Sequence, residues 1–225
     1  MLDFEPFYLT FKLVTVTTVI LFFIGVPLAC LLAFSRSRFI VILEALVGLP
    51  IVLPPSVLGF YLLLAFSPEN AFGKFLEHHF DIRLVFTFPG LVIASVIYSI
   101  PFMVQPIQSG FRMVPQSLRE ASYMLGKSKL TTLIKVVLPN MKSSLITGCI
   151  LSFAHTIGEF GVVLMVGGNI PRETRVVSIA IFDEVEAMNY NHATIYSTIL
   201  LVFSFLVLVS VYLVNQRAHK VHYLS

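Results

Sequence analysis

Residues 119–139 read REASYMLGKSKLTTLIKVVLP, a charged stretch set between apolar segments long enough to cross a membrane. Ser117 is placed to cap a short helix over about 118–125. Gly126 can turn the chain where that helix ends, and a second helix is expected over about 128–137. The stretch therefore predicts a protruding helical segment, or knob, next to the membrane, which could fit a groove on a partner protein. The alternative is an amphipathic connector lying on the membrane surface.

The tripeptide Gly126-Lys127-Ser128 matches the end of a phosphate-binding P-loop. That motif also needs a glycine at position 121, where this chain has Ala121, and a buried strand before it in a soluble α/β domain. Because neither is present, the sequence excludes ATP binding by this chain.

Composition places the chain in a membrane. Of its 225 residues 57% are apolar and 12% charged, whereas soluble domains carry about 25% charged residues. Five apolar runs reach the length of roughly 20 residues that a spanning helix needs; they are approximately 9–34, 39–66, 84–111, 143–166 and 193–214. The expected fold is all-α and integral to the membrane, with five transmembrane helices. A short outer helix over about 177–187 is expected in addition.

Basic side chains predict the orientation, since cytoplasmic loops carry more Lys and Arg. One set of connecting segments holds ten: Arg36, Arg38, Arg112, Arg119, Lys127, Lys129, Lys135, Lys142, Arg217 and Lys220. The other set holds five: Lys12, Lys74, Arg83, Arg172 and Arg175. The N-terminus is therefore predicted outside, and residues 112–142 and the C-terminus in the cytoplasm.

Polar side chains within the second and third runs are candidates for a pore. Three prolines predict a broken helix over 39–66, and Ser56 directly follows them. Ser95 and Ser99 recur on one face of the third run, which fits either a hydroxyl-lined pore or close helix packing. Glu44, near the cytoplasmic end of the second run, is expected to be hydrated or paired with a loop arginine.

The fourth run carries a polar stripe with helical spacing: Ser144, Gly148, Ser152, His155 and Glu159, flanked by Thr156. Ionisable groups at membrane depth are functional candidates. A carboxylate is a poor ligand for an anion, so Glu159 is interpreted as a structural anchor. The alternative is that His155 and Glu159, four residues apart, satisfy each other.

Two outer segments contain charged clusters. The segment 67–83 is interpreted as a solvated loop that meets a partner protein, and its adjacent histidines lack the further ligands of a metal site. Arg172 and Arg175 are outward by this topology, and arginine suits tetrahedral oxyanions because its fork donates two hydrogen bonds. They are candidates to receive an anion or to dock a binding protein; salt bridges within the loop are the alternative.

The charged stretch carries seven residues at the spacing of the EAA loop of ABC importer permeases: Glu120, Ala121, Ser122, Gly126, Val136, Leu138 and Pro139. Ser122 stands where that loop usually has Ala, and Val136 where it has Ile. Two further stretches, LPIVLPP at 49–55 and GEFG with NIPRETR over 158–175, resemble the molybdate permease branch of the family. The resemblance covers roughly residues 10–214.

This resemblance implies a type I ABC importer permease, with one transmembrane domain over 10–214 and a cytoplasmic coupling loop over 112–142. It assigns contact with the ATPase to five residues: Glu120, Ala121, Gly126, Leu138 and Pro139. Two copies of the chain are expected to form the pore, two ATPase subunits to bind ATP and Mg, and an extracytoplasmic protein to deliver molybdate. The chain itself is expected to need no metal, cofactor or catalytic residue, to contact lipid and no nucleic acid, and to lie in a bacterial or archaeal cytoplasmic membrane.

Alternatives remain at two levels. Within the family, the substrate of the permease is open between molybdate, tungstate and sulfate. Outside it, the chain would be a stand-alone anion channel or a secondary transporter, which leaves the EAA-like loop unexplained.

Overall fold

The structure, a computed structural model, describes residues 3–35 and 37–222, with residues 211 and 214–222 as helical backbone only. Arg36 and the side chains of Arg217 and Lys220, which entered the charge count, lie outside the described residues. Throughout the described part every regular element is a helix. The helices are α1 (Glu5–Phe34), α2 (Phe39–Val52), α3 (Pro55–Phe66), α4 (Ala71–Phe80), α5 (Phe88–Met113), α6 (Gln116–Met124), α7 (Lys129–Thr132), α8 (Leu138–Asn140), α9 (Lys142–Ile157), α10 (Gly161–Gly167), α11 (Val177–Glu186) and α12 (Tyr190–His222), with a π-helical segment Leu133–Val137 between α7 and α8.

Three of these helices are long and apolar enough to cross a membrane: α1, α5 and the Tyr190–Ser210 part of α12. Two bent helix pairs raise the number to five if each pair is one span. The first pair is α2 and α3, bent by 114°. The second is formed by Lys129–Asn140 and α9, bent by 75°. The all-α membrane fold predicted from the sequence is confirmed.

Side-chain contacts set the direction of α5 relative to α1. Near their starts, the ammonium group of Lys12 lies 4.4 Å from the ring centroid of Phe88. Near their ends, the rings of Phe34 and Phe111 lie 5.5 Å apart. Since early residues meet early residues and late meet late, the two helices run parallel. Phe7 and Tyr196 pair in the same sense between α1 and α12.

Helix α9 runs the other way. Its first turn meets the end of α5, where a Cβ added at Gly110 would come within 2.5 Å of the Ser144 side chain. Its last turn meets the middle of α5, where Thr156 contacts Ser99. The bundle thus places the end of α1 and the knob that follows α5 at one end, and the connection from α10 to α11 at the other.

Three sequence expectations concern helix boundaries. The apolar run 143–166 was expected as one helix, and this is wrong because the helix stops at Ile157 and restarts at Gly161. The outer segment 67–83 is not simply a loop, since it contains α4. The outer helix expected over 177–187 is confirmed as α11.

The knob also begins differently from the expectation. Ser117 does not cap α6: the helix starts one residue earlier, at Gln116, after Pro115, whose ring presets φ at −56°. The predicted turn at Gly126 is confirmed, with φ +72°. Ser128 caps α7 by accepting a hydrogen bond from the Thr131 backbone N–H at 3.2 Å.

Candidate functional site

Three polar side chains join α5 to α9 at membrane depth. Thr156 donates its hydroxyl hydrogen to the Ser152 carbonyl, so Ser99, 2.9 Å away, donates to Thr156. The Ser99 oxygen then accepts from the His155 Nδ1–H, also at 2.9 Å. These hydroxyls are buried within the single chain and are satisfied there. Their first role in this structure is therefore helix packing, the alternative that the sequence left open for Ser99.

Two aromatic side chains of α5 hold the His155 ring. Phe102 stacks on it with centroids 3.9 Å apart, and Tyr98 lies 4.7 Å away. His155 is half-buried. The proposed pairing of His155 with Glu159 is wrong, because the helix ends between them and the imidazole takes Ser99 instead.

Glu159 lies in the break between α9 and α10 and is only 3% exposed. Its backbone carbonyl accepts a hydrogen bond from the Ser178 hydroxyl at 2.7 Å, which ties the break to α11. Neither carboxylate oxygen has a partner among the described residues. The Ser95 hydroxyl lies beside the carboxylate but outside hydrogen-bonding geometry, and it is also unpartnered. The structure therefore shows no carboxylate contact, within the described residues, for the anchor role that the sequence predicted.

The two helix breaks meet. A Cβ added at Gly161, the first residue of α10, would lie 2.8 Å from Cβ of Pro55, the first residue of α3. Ser56 is exposed next to this contact, whereas Ser144 is half-buried against Gly110 at the far end of α5. Broken helices at membrane depth occur where they are buried in protein or line a cavity. The structure thus gathers Glu159 and Ser56 near one point and leaves Ser144 apart.

The two outer arginines differ. Arg175 forms an ion pair with Asp183 at 3.1 Å, the loop salt bridge that the sequence left as the alternative. Arg172 is exposed, has φ +65°, and makes no ion pair within the described part of the chain. Thr174 holds the turn by donating to the Gly167 carbonyl at 2.7 Å and accepting from the Ile170 N–H. A fixed turn therefore presents Arg172 at the surface of the chain.

The knob projects at the opposite end. A hydrogen bond between the Ser122 and Thr132 hydroxyls, 2.8 Å apart and buried, ties α6 to α7. Glu120 accepts a hydrogen bond from the Gln116 side chain one turn earlier on the exposed side of α6. Met124 and Leu125 at the tip are 89% and 77% exposed. An exposed apolar tip on a tied helical pair is a candidate docking surface, and sequence reasoning missed these two residues.

A polar cluster near the same end was only partly predicted. Glu44 of α2 accepts hydrogen bonds from the Gln108 side chain at 2.9 Å and from the Arg112 guanidinium at 3.3 Å. The predicted pairing of Glu44 with an arginine is confirmed. Gln108 was missed, although its place one turn before Arg112 on a helix puts both on one face.

An all-helical membrane bundle with two bent helix pairs and an exposed helical knob is the architecture expected of the membrane component of a transporter. Residues 25–220 match the family of binding-protein-dependent transport system inner membrane components, and the chain belongs to that family. It is therefore a multi-pass inner-membrane permease component of an ABC transporter, as the EAA-like loop predicted.

Individual relatives give the same result. The molybdenum transport system permease protein ModB of Azotobacter vinelandii is 47% identical over 210 residues, 93% of each chain. The sulfate transport system permease protein CysT of Salmonella typhimurium is 35% identical over 193 residues, 86% of this chain and 69% of that protein. An inward-facing structure of the MetNI methionine ABC transporter matches with a TM-score of 0.75 at 16% identity, covering 96% of this chain and 95% of its own. That likeness shows a shared fold.

Proposed function

We propose that this chain is the permease of an ATP-driven molybdate importer, in which two copies form the pore. The observation that supports molybdate as the substrate is the 47% identity to a molybdenum permease over 93% of both chains. Sulfate permeases are similar over less of their length and at lower identity. Molybdate, tungstate and sulfate are all tetrahedral dianions, so sulfate and tungstate are the substrates against which the proposal must be tested.

The knob is the proposed contact with the ATPase. The exposed side chains of Met124 and Leu125 would enter an apolar groove of that partner, since apolar side chains at this exposure gain most from burial. Gly126 makes the turn behind this tip, and Ser122 with Thr132 keeps α6 and α7 together as one body. Leu138 and Pro139 form α8, which connects the knob to α9.

Helix α9 is the proposed lever into the membrane. Hydrogen bonds from Ser99 to Thr156 and His155 connect the last turn of α9 to α5. The first turn of α9 follows the knob in the chain. A displacement of the knob by the closing ATPase pair would therefore turn α9 and α5 together. The break carrying Glu159 lies directly after α9, against the start of α3. We place the gate at this meeting of two broken helices, with Ser56 as its exposed hydroxyl.

The outer turn is the proposed contact with the molybdate-binding protein. Arg172 is exposed and unpaired in the described part of the chain, whereas Arg175 is occupied by Asp183. A guanidinium held outward by a fixed turn suits an acidic surface on the partner. The proposal has the N-terminus outside and the knob and C-terminus in the cytoplasm, and the distribution of basic residues supports this orientation.

Uptake of labelled molybdate by cells that carry the permease, its ATPase and its binding protein tests the proposal. We expect uptake to stop in a strain whose ATPase cannot hydrolyse ATP, and to be inhibited by tungstate much more strongly than by sulfate. Uptake that survives the inactive ATPase would instead mean a channel or secondary transporter. Equal competition by sulfate would assign the chain to sulfate transport.

A further inference from the structure

A cavity of about 520 Å³ lies between the knob and the end of α1. Its floor is apolar and comes from the last turn of α1 and from the segment after α7, including Phe34, Leu133 and Val137. Its wall carries the basic side chains Arg119 and Lys129. The volume is within the range of about 300–1,000 Å³ that small-molecule sites occupy.

Arg119 is the unusual residue of this cavity. Its guanidinium carbon lies 4.5 Å from the centroid of the Phe34 ring, a cation–π contact that fixes the plane of the group. Its Nε is buried and has no hydrogen-bond partner among the residues that the structure describes. Among the described residues no carboxylate forms an ion pair with it, and the nearby Glu120 is bound to Gln116. A buried donor without an acceptor in the described chain is open to an acceptor from another molecule, and here it lies beside a cavity.

Two features identify that molecule. The basic wall of Arg119 and Lys129 requires an anion, and a planar guanidinium fork suits a phosphate. The apolar floor continues the surface of α1, a membrane-spanning helix whose last residue is Phe34. A free oxyanion would leave this floor without a contact, whereas an acyl chain would cover it. An anionic phospholipid satisfies both the wall and the floor.

We infer that this cavity binds an anionic phospholipid, with the phosphate on Arg119 and Lys129 and the start of an acyl chain over Phe34 and Leu133. The lipid would fill the space between the knob and the bundle and hold the knob in position for its partner. The inference needs only the membrane location of the chain and does not depend on which anion the pore carries.

The test is lipid retention by the assembled transporter, purified in detergent and supplied with phosphatidylglycerol, measured by native mass spectrometry. The double variant Arg119→Ala/Lys129→Ala is compared with Lys127→Ala/Lys135→Ala, which removes the same charge from exposed positions of the same segment that do not line the cavity. We expect the first to lose about fivefold in retained lipid for each basic residue removed, and the second to stay near the parent.

Two further arms complete the experiment. Phosphatidylcholine, which lacks net charge, is expected to bind the parent weakly, and Arg119→Lys is expected to retain more phosphatidylglycerol than Arg119→Ala. Equal phosphatidylglycerol retention by parent and both double variants would overturn the inference. Displacement of the lipid by inorganic phosphate or molybdate would also overturn it, because a free oxyanion would then be the occupant. An unfolding midpoint equal to that of the parent shows that each variant is folded.

Discussion

At the residue scale, Gly90 is required by its surroundings. It is the third residue of α5, and an added Cβ would overlap the backbone carbonyl of Leu84, which cannot move aside as a flexible side chain would. We expect Gly90→Ala to destabilise the protein by about 3 kcal/mol through overpacking. The measurement is the thermal unfolding midpoint of the purified permease.

The matched control is Gly158→Ala. Gly158 is exposed, has φ −85°, and its added Cβ would lie 3.8 Å from the nearest atom, the His155 carbonyl oxygen. We expect a change within about 0.5 kcal/mol there. A Gly90→Ala variant as stable as this control would mean that the start of α5 can shift.

Gly126 is constrained by conformation alone. Its φ is +72°, and an added Cβ would meet nothing within 4 Å. Asn and Asp both tolerate this left-handed conformation, and they differ in charge. If the knob tip enters an apolar groove, Gly126→Asp should abolish molybdate uptake and Gly126→Asn should retain most of it, both inserting normally in the membrane. Equal uptake by the two variants would show that the tip is not part of the coupling contact.

At the element scale, one hydrogen bond ties α6 to α7. Ser122 and Thr132 are 6% and 1% exposed, so removing one hydroxyl leaves the other buried without a partner. We expect Ser122→Ala to cost about 1–3 kcal/mol, although alanine is the usual residue of the EAA loop at this position. The measurement is the free energy of unfolding of the permease in denaturant.

The double variant Ser122→Ala/Thr132→Val tests this reasoning, because it removes both hydroxyls together. It is expected to be more stable than Ser122→Ala alone, since replacing both partners by apolar groups leaves nothing unsatisfied. Strictly additive losses would show that the two hydroxyls act independently.

At the scale of the whole molecule, substitutions of Arg172 and Arg175 are expected to have different effects, one on docking of the binding protein and the other on stability. Arg172→Glu should raise the concentration of binding protein needed for half-maximal uptake by about tenfold at low salt, with the effect shrinking as salt is added. Its unfolding midpoint should stay unchanged because Arg172 has no ion pair to lose in the described structure.

Arg175→Glu is the companion measurement. It breaks the ion pair with Asp183 and places two carboxylates together in a half-buried site, so the unfolding midpoint should fall. If Arg172→Glu lowered the midpoint and left docking unchanged, the roles assigned to the two arginines would be reversed.

Local patterns in the sequence accounted for much of the architecture. The proline cluster after Leu49 predicted the broken second span, and the left-handed preference of glycine predicted the turn at Gly126. The break at Glu159 was missed because its spacing from His155 continues the helical period, although the helix breakers Gly158 and Gly161 flank it. Helix α4 was missed because the polar residues of the segment 67–83, four of which lie in the helix, masked its amphipathic pattern.

By itself the sequence determined the class of the protein. Long apolar runs can only be stable in lipid, and the EAA-like residues at their fixed spacing identify a permease, since both properties are local and readable along one chain. The tertiary structure decided which polar groups have partners. Ser99 is hydrogen-bonded to Thr156 and Arg175 is ion-paired with Asp183, whereas Arg172 has no ion pair in the described part of the chain. Those pairings join residues distant in sequence, and periodicity within one helix carries no information about which helix packs beside it.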